Sequence, residues 1–375
     1  MHSLKPLIKY PGGKSGELET IISYLPSNIS NYIEPFLGGG AVYFGLSAHS
    51  YYVNDISEEL MLLYNFVKNQ DGEFFAELSM INNNWIQLKS IALHYFAAFI
   101  NLYKQYQIDD INVQNVEDQV ANLVRGMNNE LDRPLFSFEG IDSDVFNKQL
   151  NKNLLDKLKR IKRNEIRNNR QLDENGFFNN LETAFKSAYY MHFRDLYNKS
   201  KKVKTTTQRR VAIFFFVREY CFSSMFRFNR KGEFNVPYGG ISYNKKTMSS
   251  KIKYLQSENV IAKLKITSLY NTDFETFLAH TPIANSDFMF LDPPYDTTFS
   301  DYDNNKFEHS DQMRLANYLI NECKCRFMLI IKKTDFICGL YENKGLNIIE
   351  LEKLYSVSFR NRNIRTVIHL LIKNY

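Results

Sequence analysis

The sequence predicts an α/β protein whose sheet is assembled from both ends of the chain and interrupted by a mostly helical insert. Three observations predict it. Short apolar runs ending in glycine or aspartate fill residues 32–56, and similar runs return from Lys265 onward. Between them, from about Asp71 to Arg210, strand signals thin and helical periodicity takes over. The boundaries that follow are 1–70 and 265–375 for the sheet body and 71–264 for the insert.

Taken in order, "YIEPFLGGGAVYFGL" (Tyr32–Leu46) passes from apolar strand through a glycine turn into a helix. "YYVNDI" is a second strand closing at Asp55, and "SEELMLLYNFVKN" has helical spacing with Ser57 as its expected N-cap. In the insert, "WIQLKSIALHYFAAFINLYKQY" reads as helix. Further along, Leu150, Leu154, Leu158 and Ile161 share one helical face while cations take the others. "KSKKVKTTTQRR" (Lys199–Arg210) reads as a cationic loop. Strands are expected again at "KITSLYNTDF" (Lys265–Phe274), "FMFLDPPY" (Phe288–Tyr295), "RFMLIIKK" (Arg326–Lys333) and "TVIHLLI" (Thr366–Ile372), around a helical "SDQMRLANYLINEC".

A length of 375 residues suits about two domains of roughly 150 each, and 44% apolar residues are enough for a core. The net charge is +6, but the stretch from Lys148 to Arg170 alone holds nine Lys and Arg against Asp156 and Glu165. A local patch of +7 on a body of −1 points to a polyanionic partner, with a solvated helix face as the alternative. The four cysteines, Cys221, Cys323, Cys325 and Cys338, lack metal-ligand spacing and are expected to be reduced thiols. Charges and a proline precede any apolar run at the start, which argues against a secretory signal. No apolar segment reaches the roughly 20 residues that span a bilayer. The expectation is a soluble, cytoplasmic protein with no membrane partner.

"KYPGGKSG" ends like a phosphate-binding loop, but Ile8 stands where that loop needs its first glycine, so a triphosphatase reading fails on spacing. "FLDPPY" is more informative. An apolar strand ends at Asp292, and Pro293 and Pro294 stiffen its exit because proline fixes φ and cannot donate to a ladder. Asp292 and the Pro293 carbonyl then make a pair of acceptors beside the face of Tyr295, complementary to the exocyclic amine and π surface of a nucleobase. In "EPFLGGG", Gly38 and Gly40 permit close approach of a ligand to the backbone, as at nucleoside sites of open α/β sheets. Asp55, seventeen residues after Gly38, sits where a carboxylate can accept from ribose hydroxyls. Tyr43 breaks the G-x-G-x-x-G spacing, which disfavours a nicotinamide enzyme.

"KYPGGK", "EPFLGGG", "VNDI", "FRFNRKGEFNVPYG" and "LDPPY" occur in the order of one known family. The chain resembles the Dam-type DNA adenine-N6 methyltransferases. The resemblance implies a Rossmann-like fold with a mixed, mostly parallel seven-stranded sheet flanked by helices, plus a helical target-recognition insert. It also implies S-adenosyl-L-methionine as cofactor and double-stranded DNA as partner. Tyr10, Lys14, Glu34, Phe36, Gly38, Gly40, Asp55, Asp273, Phe274 and Asp292 would line the cofactor site; the family more often has Trp where Tyr10 stands. Asp292, Pro293, Pro294 and Tyr295 would act on a flipped-out adenine, whose amine is inaccessible inside the duplex.

Arg227 matches the family position where an arginine reads a guanine, while Asn229, Arg230 and Lys231 suit phosphates. Asn235, Pro237 and Tyr238 complete the expected DNA surface, and Arg160, Lys162 and Arg163 of the basic stretch join it. "CFSSM" (Cys221–Met225) departs from enzymes that read GATC, which leaves the target sequence open. Arg360, Arg362 and Arg365 suggest a DNA clamp or a basic hairpin. N4-cytosine methylation and a DNA-binding protein without catalysis are the competing readings; Asp at the head of D-P-P-Y favours adenine. A cognate restriction endonuclease is a candidate partner, and a restriction, orphan or mobile-element role stays open.

Overall fold

A computed structural model of the protein describes residues 4–127, 143–200, 205–295, 307–354 and 366–375. The chain divides into two compact units, one of residues 1–70, 226–232 and 255–375 and the other of residues 71–225 and 233–254. Phe226–Gly232 and the stretch from Leu255 to Leu264 therefore group with the sheet, although the sequence placed both in the insert. For the second stretch the cause is an amphipathic helix, Glu258–Lys265, whose Val260 and Leu264 are buried against the sheet body.

The first unit is an α/β layer structure. Its strands are β1 (Asn31–Glu34), β2 (Ser50–Asn54), β3 (Thr267–Tyr270), β4 (Phe288–Leu291), β5 (Arg326–Lys332), β6 (Asn347–Leu354) and β7 (Thr366–Lys373). They form one seven-stranded sheet in the order β3-β2-β1-β4-β5-β7-β6. β1 to β5 run parallel and β7 is antiparallel to both β5 and β6. The helices of this unit are α1 (Leu18–Ser23), α2 (Ala41–Gly45) and α3 (Glu58–Asn69) from the N-terminal part.

The second unit is helical: α4 (Gly72–His94), α5 (Phe96–Gln107), α6 (Val113–Gly126), α7 (Ser143–Asn168), α8 (Glu174–Lys199), α9 (Thr207–Tyr220) and α10 (Ser249–Leu255). The chain then returns to the sheet through α11 (Glu258–Lys265), α12 (Phe274–His280), α13 (His309–Asn321) and α14 (Asp335–Tyr341).

The central strands are buried on both faces, which is why β4 and the middle of β5 read as unbroken apolar runs. Ile33, Met289, Leu291, Leu329, Ile331 and Leu370 join Leu315, Leu319 and Ile337 from the covering helices in one cluster. Each such side chain withdrawn from water stabilises the fold by about 1.5–3 kcal/mol. β6 escaped sequence reading because "NIIELEKL" mixes apolar and charged residues without a turn signal. β3 stops at Tyr270, short of the expected Phe274, because the Asp273 carboxylate accepts from Glu275 N and starts α12 there. "KSKKVKTTTQRR" is not wholly a loop either, since α8 runs through Lys199 and α9 begins at Thr207 behind a Thr206 cap.

In α7 the apolar stripe is buried as its spacing predicts, with Leu150, Leu154, Leu158 and Ile161 all inside. A second core gathers around Trp85, whose ring meets Tyr189, Phe216, Tyr220 and Tyr238 within the helical unit. Among the described residues no helix is long and apolar enough to cross a membrane. The four cysteines are free thiols.

Candidate functional site

The order of the sheet reverses at β1, with β2 and β3 on one side and β4 on the other. In open α/β sheets the carboxyl ends of the strands at such a reversal form a crevice. Glu34 ends β1, Asp55 follows β2, and Asp292 follows β4, so three carboxylates reach that crevice by strand topology alone.

The glycine loop after β1 is tied down by Asp55. Its Oδ2 accepts from Gly38 N at 2.8 Å and its Oδ1 from Ser57 N at 2.9 Å. Ser57 is the N-cap of α3 as expected, but its side chain makes no cap bond and it enters the helix through an Asp55 turn. Gly40 adopts φ of +70° at the start of α2, and a Cβ there would lie 2.7 Å from the Tyr64 hydroxyl. Only glycine fits that position. Tyr10 lies against the same loop and, at 5.5 Å between ring centroids, against Phe226.

Lys14 is buried, and its ammonium donates to Asp292 Oδ2 in a short contact. It also donates at 3.0 Å to the Tyr295 hydroxyl and at 3.0 Å to the carbonyl of Gly12. Residues 278 positions apart thus meet. The Tyr295 hydroxyl lies 3.4 Å from Asp292 Oδ1, and the edge of His369 from β7 meets its ring at 5.1 Å. Gln312 of α13 donates to the Pro294 carbonyl at 2.8 Å and so fastens the proline exit.

Glu34 is fully enclosed and accepts from Tyr32 OH at 2.9 Å. Burial pushes its carboxyl well above the ordinary range; Asp292 and Asp55 add to the rise, while the Tyr32 bond and Lys14 oppose it. Beside it, Phe36, Phe274 and Phe307 form an aromatic cluster with centroids 5.5–5.7 Å apart. Arg314 of α13 lies over Phe274 at 4.7 Å and holds both oxygens of Asp273, at 3.2 and 3.1 Å. Burial alone would raise Asp273, but bonds from Arg314 and from Glu275 N outweigh it and hold the carboxyl low. Arg314, Gln312, Phe307 and His369 escaped sequence reading. Each lies in an ordinary helix, loop or strand pattern with no local signal for its role.

The predicted DNA residues separate into two groups. Arg227, Arg230 and Lys231 are exposed, with Asn229 folding the tip by accepting from Lys231 N at 2.9 Å. Asn235 is half-buried and Pro237 exposed, whereas Tyr238 is buried against Trp85 and Tyr190. Tyr238 is thus an anchor of the segment rather than part of its outer face. Lys162 likewise turns inward. Its ammonium donates to the Tyr106 carbonyl at 2.6 Å, pairs with Asp109 and lies 4.3 Å from the Tyr106 ring. Arg160 and Arg163 remain exposed, and with Lys157 and Lys159 they line a groove of about 350 Å³ that includes the carboxylate of Asp156. Arg360, Arg362 and Arg365 lie outside the described residues.

Comparison with known proteins adds to this geometry. Residues 10–133 and 139–357 match the model of a family described as D12 class N6 adenine-specific DNA methyltransferase. The chain is 26% identical to the Type II methyltransferase M.CviBI of Paramecium bursaria Chlorella virus NC1A, over 99% of this chain and 100% of that one. It is 25% identical to the Type II methyltransferase M.MjaIII of Methanocaldococcus jannaschii, over 99% of each. To the DNA adenine methylase of Serratia marcescens it is 20% identical, over 97% of this chain and 96% of that one.

Proposed function

Since the chain belongs to the D12 class N6 adenine-specific DNA methyltransferases, we propose that Asp292, Pro293 and Tyr295 hold a flipped-out adenine of double-stranded DNA while its N6 accepts a methyl group from S-adenosyl-L-methionine. The enzyme is a site-specific DNA adenine methyltransferase. The observation that carries the residue assignment is the meeting of Lys14, Asp292 and Tyr295 at the sheet crevice, beside a glycine loop fastened to Asp55.

The residues present fit S-adenosyl-L-methionine, which when bound supplies an activated methyl on a cationic sulfur. With Glu34 holding its proton, the carboxylates of Asp55 and Asp292 stand there against the cation of Lys14, which favours a cationic ligand. Asp55 suits a ribose diol, and Phe36 and Phe274 offer ring faces for a purine. Tyr10, Gly38 and Gly40 shape the wall of that site, with Asp273 at its rim.

Asp292 and the Pro293 carbonyl accept the two N–H bonds of the adenine amine, which frees its lone pair from conjugation. Tyr295 stacks on the ring. Positive charge grows on N6 as the methyl arrives, the Asp292 carboxylate stabilises it, and N6 then gives up one of its two protons to solvent to leave a neutral methylated amine. Lys14 orients the Asp292 carboxylate. Arg227, Asn229, Arg230, Lys231, Asn235 and Pro237 face the duplex, with Arg160 and Arg163 on its phosphates. The Type II relatives support a modification role beside a cognate endonuclease.

The test is methylation of DNA by the purified protein with S-adenosyl-L-methionine, read by sequencing of modified bases. N6-methyladenine within one short sequence is expected. Asp292→Asn should lower the rate by about 10²–10³-fold, with cofactor affinity in calorimetry changed far less. A variant that keeps more than a few per cent of the rate would reject the role of Asp292.

A further inference from the structure

The segment from Phe234 to Tyr238 has the alternation of a strand, and the chain runs on to Asn244 through a short turn of helix. Phe234, Val236 and Tyr238 are buried, while Asn235 is half-buried and Pro237 exposed. Tyr238 forms an isolated bridge with Cys221, Phe222 N donates to the Pro237 carbonyl at 2.8 Å, and Gly239 N donates to the Tyr220 carbonyl at 3.0 Å. Buried carbonyls in such a segment need other partners.

They find them on α8. Asn198 donates to the Phe234 carbonyl at 3.0 Å and accepts from Phe234 N at 2.8 Å. Tyr190 OH donates to the Val236 carbonyl at 2.9 Å, and Arg194 donates to the same oxygen at 3.2 Å. Lys186 donates to the Asn244 carbonyl, and Asn244 Nδ2 donates to Thr183 Oγ1 at 3.0 Å. Thr183, Lys186, Tyr190, Arg194 and Asn198 follow one another by three or four residues, so a single face of α8 carries all five.

We propose that this polar stripe of α8 sets the register of the target-reading segment, and so determines which side chains meet the DNA bases without touching DNA itself. The inference rests on the reading that the segment faces the duplex. The physical reason is the period of two. A slip by one residue would turn Asn235 and Pro237 inward and Phe234, Val236 and Tyr238 outward. A helix-borne row of hydrogen bonds opposes that slip. Tyr190, Arg194 and Asn198 are positioning residues for sequence discrimination, a role that their helical setting conceals in the sequence.

The experiment compares kcat/KM on a duplex carrying the site found by modified-base sequencing with kcat/KM on duplexes altered at one base pair of it. Asn198→Ala loses both bonds to Phe234 and should reduce that ratio about five- to tenfold. Tyr190→Phe, a milder change that keeps the ring packed, should reduce it about twofold. Asn198→Asp, which still accepts from Phe234 N, should recover part of the loss. S-adenosyl-L-methionine affinity by calorimetry should stay within about twofold throughout. A purely structural role lowers kcat/KM on every duplex by one common factor; that result, or no change, overturns the proposal. Asn235→Ala separates the two levels. If it alters the ratio while the α8 variants do not, only the present inference falls. If it leaves the ratio intact as well, the reading of the segment falls with it.

Discussion

Lys14 and Asp292 illustrate what a single contact decides. Lys14 is 2% exposed and the Asp292 side chain 17%, so each depends on the other for neutralisation. Removing one partner of such a pair leaves a charge in a poorly solvated place. Lys14→Met should lower stability by about 3 kcal/mol, measured by urea unfolding. A loss below about 0.5 kcal/mol would show that Asp292 does not depend on Lys14. Glu34 is a different case. Its raised carboxyl keeps a proton in the folded state that the unfolded chain releases. The stability this provides is complete below the unfolded carboxyl value of about 4.3 and is lost as pH rises through the folded value. Glu34→Gln should therefore show a flatter loss of stability than the parent as pH rises above about 4.3. Parallel curves would contradict the assignment.

At the scale of the element, the turn from β1 into α2 concentrates the constraints. Gly40→Ala would place a methyl group 2.7 Å from the Tyr64 hydroxyl at φ of +70°. It should cost at least about 2 kcal/mol in urea unfolding; a loss below about 0.5 kcal/mol would mean that the loop relaxes freely. The glycines and the strand ends around this turn were legible because turn and strand chemistry is local. So was the cap of α3, which falls at Ser57. Its bonding was not legible, because its side chain makes no cap bond and Asp55, which also accepts from Gly38 N, holds its backbone instead. The same limit applies to β3, where Asp273 serves as the cap of α12 and no strand residue.

For the whole molecule the question is which cations of the basic stretch are available to a polyanion. α7 presents Arg160 and Arg163 on its outer side, while Lys162 is spent on the Tyr106 carbonyl and Asp109. Replacing Arg160 and Arg163 together by Ala should reduce the slope of log affinity against log salt for duplex DNA by about 1–2. Lys162→Met should leave that slope unchanged and lower the thermal midpoint instead. An equal effect of both on the slope would show that Lys162 meets the duplex as well. Composition placed the charge on this helix correctly, but it could not separate three neighbouring cations, because burial of one depends on where α5 ends.

The sequence by itself determined the α/β class, the interruption by helices, the strand ends near Asp55 and Asp292, and the amphipathic face of α7. All of these follow from local rules of periodicity, turn chemistry and residue order, which act over a few positions. The tertiary structure alone decided that Lys14 reaches Asp292 and Tyr295, that Tyr238 and Lys162 turn inward, and that α8 holds the backbone of Phe234 and Val236. These depend on which strands become neighbours and which helix face meets which segment. Contacts between residues dozens to hundreds of positions apart leave no periodic trace in the chain.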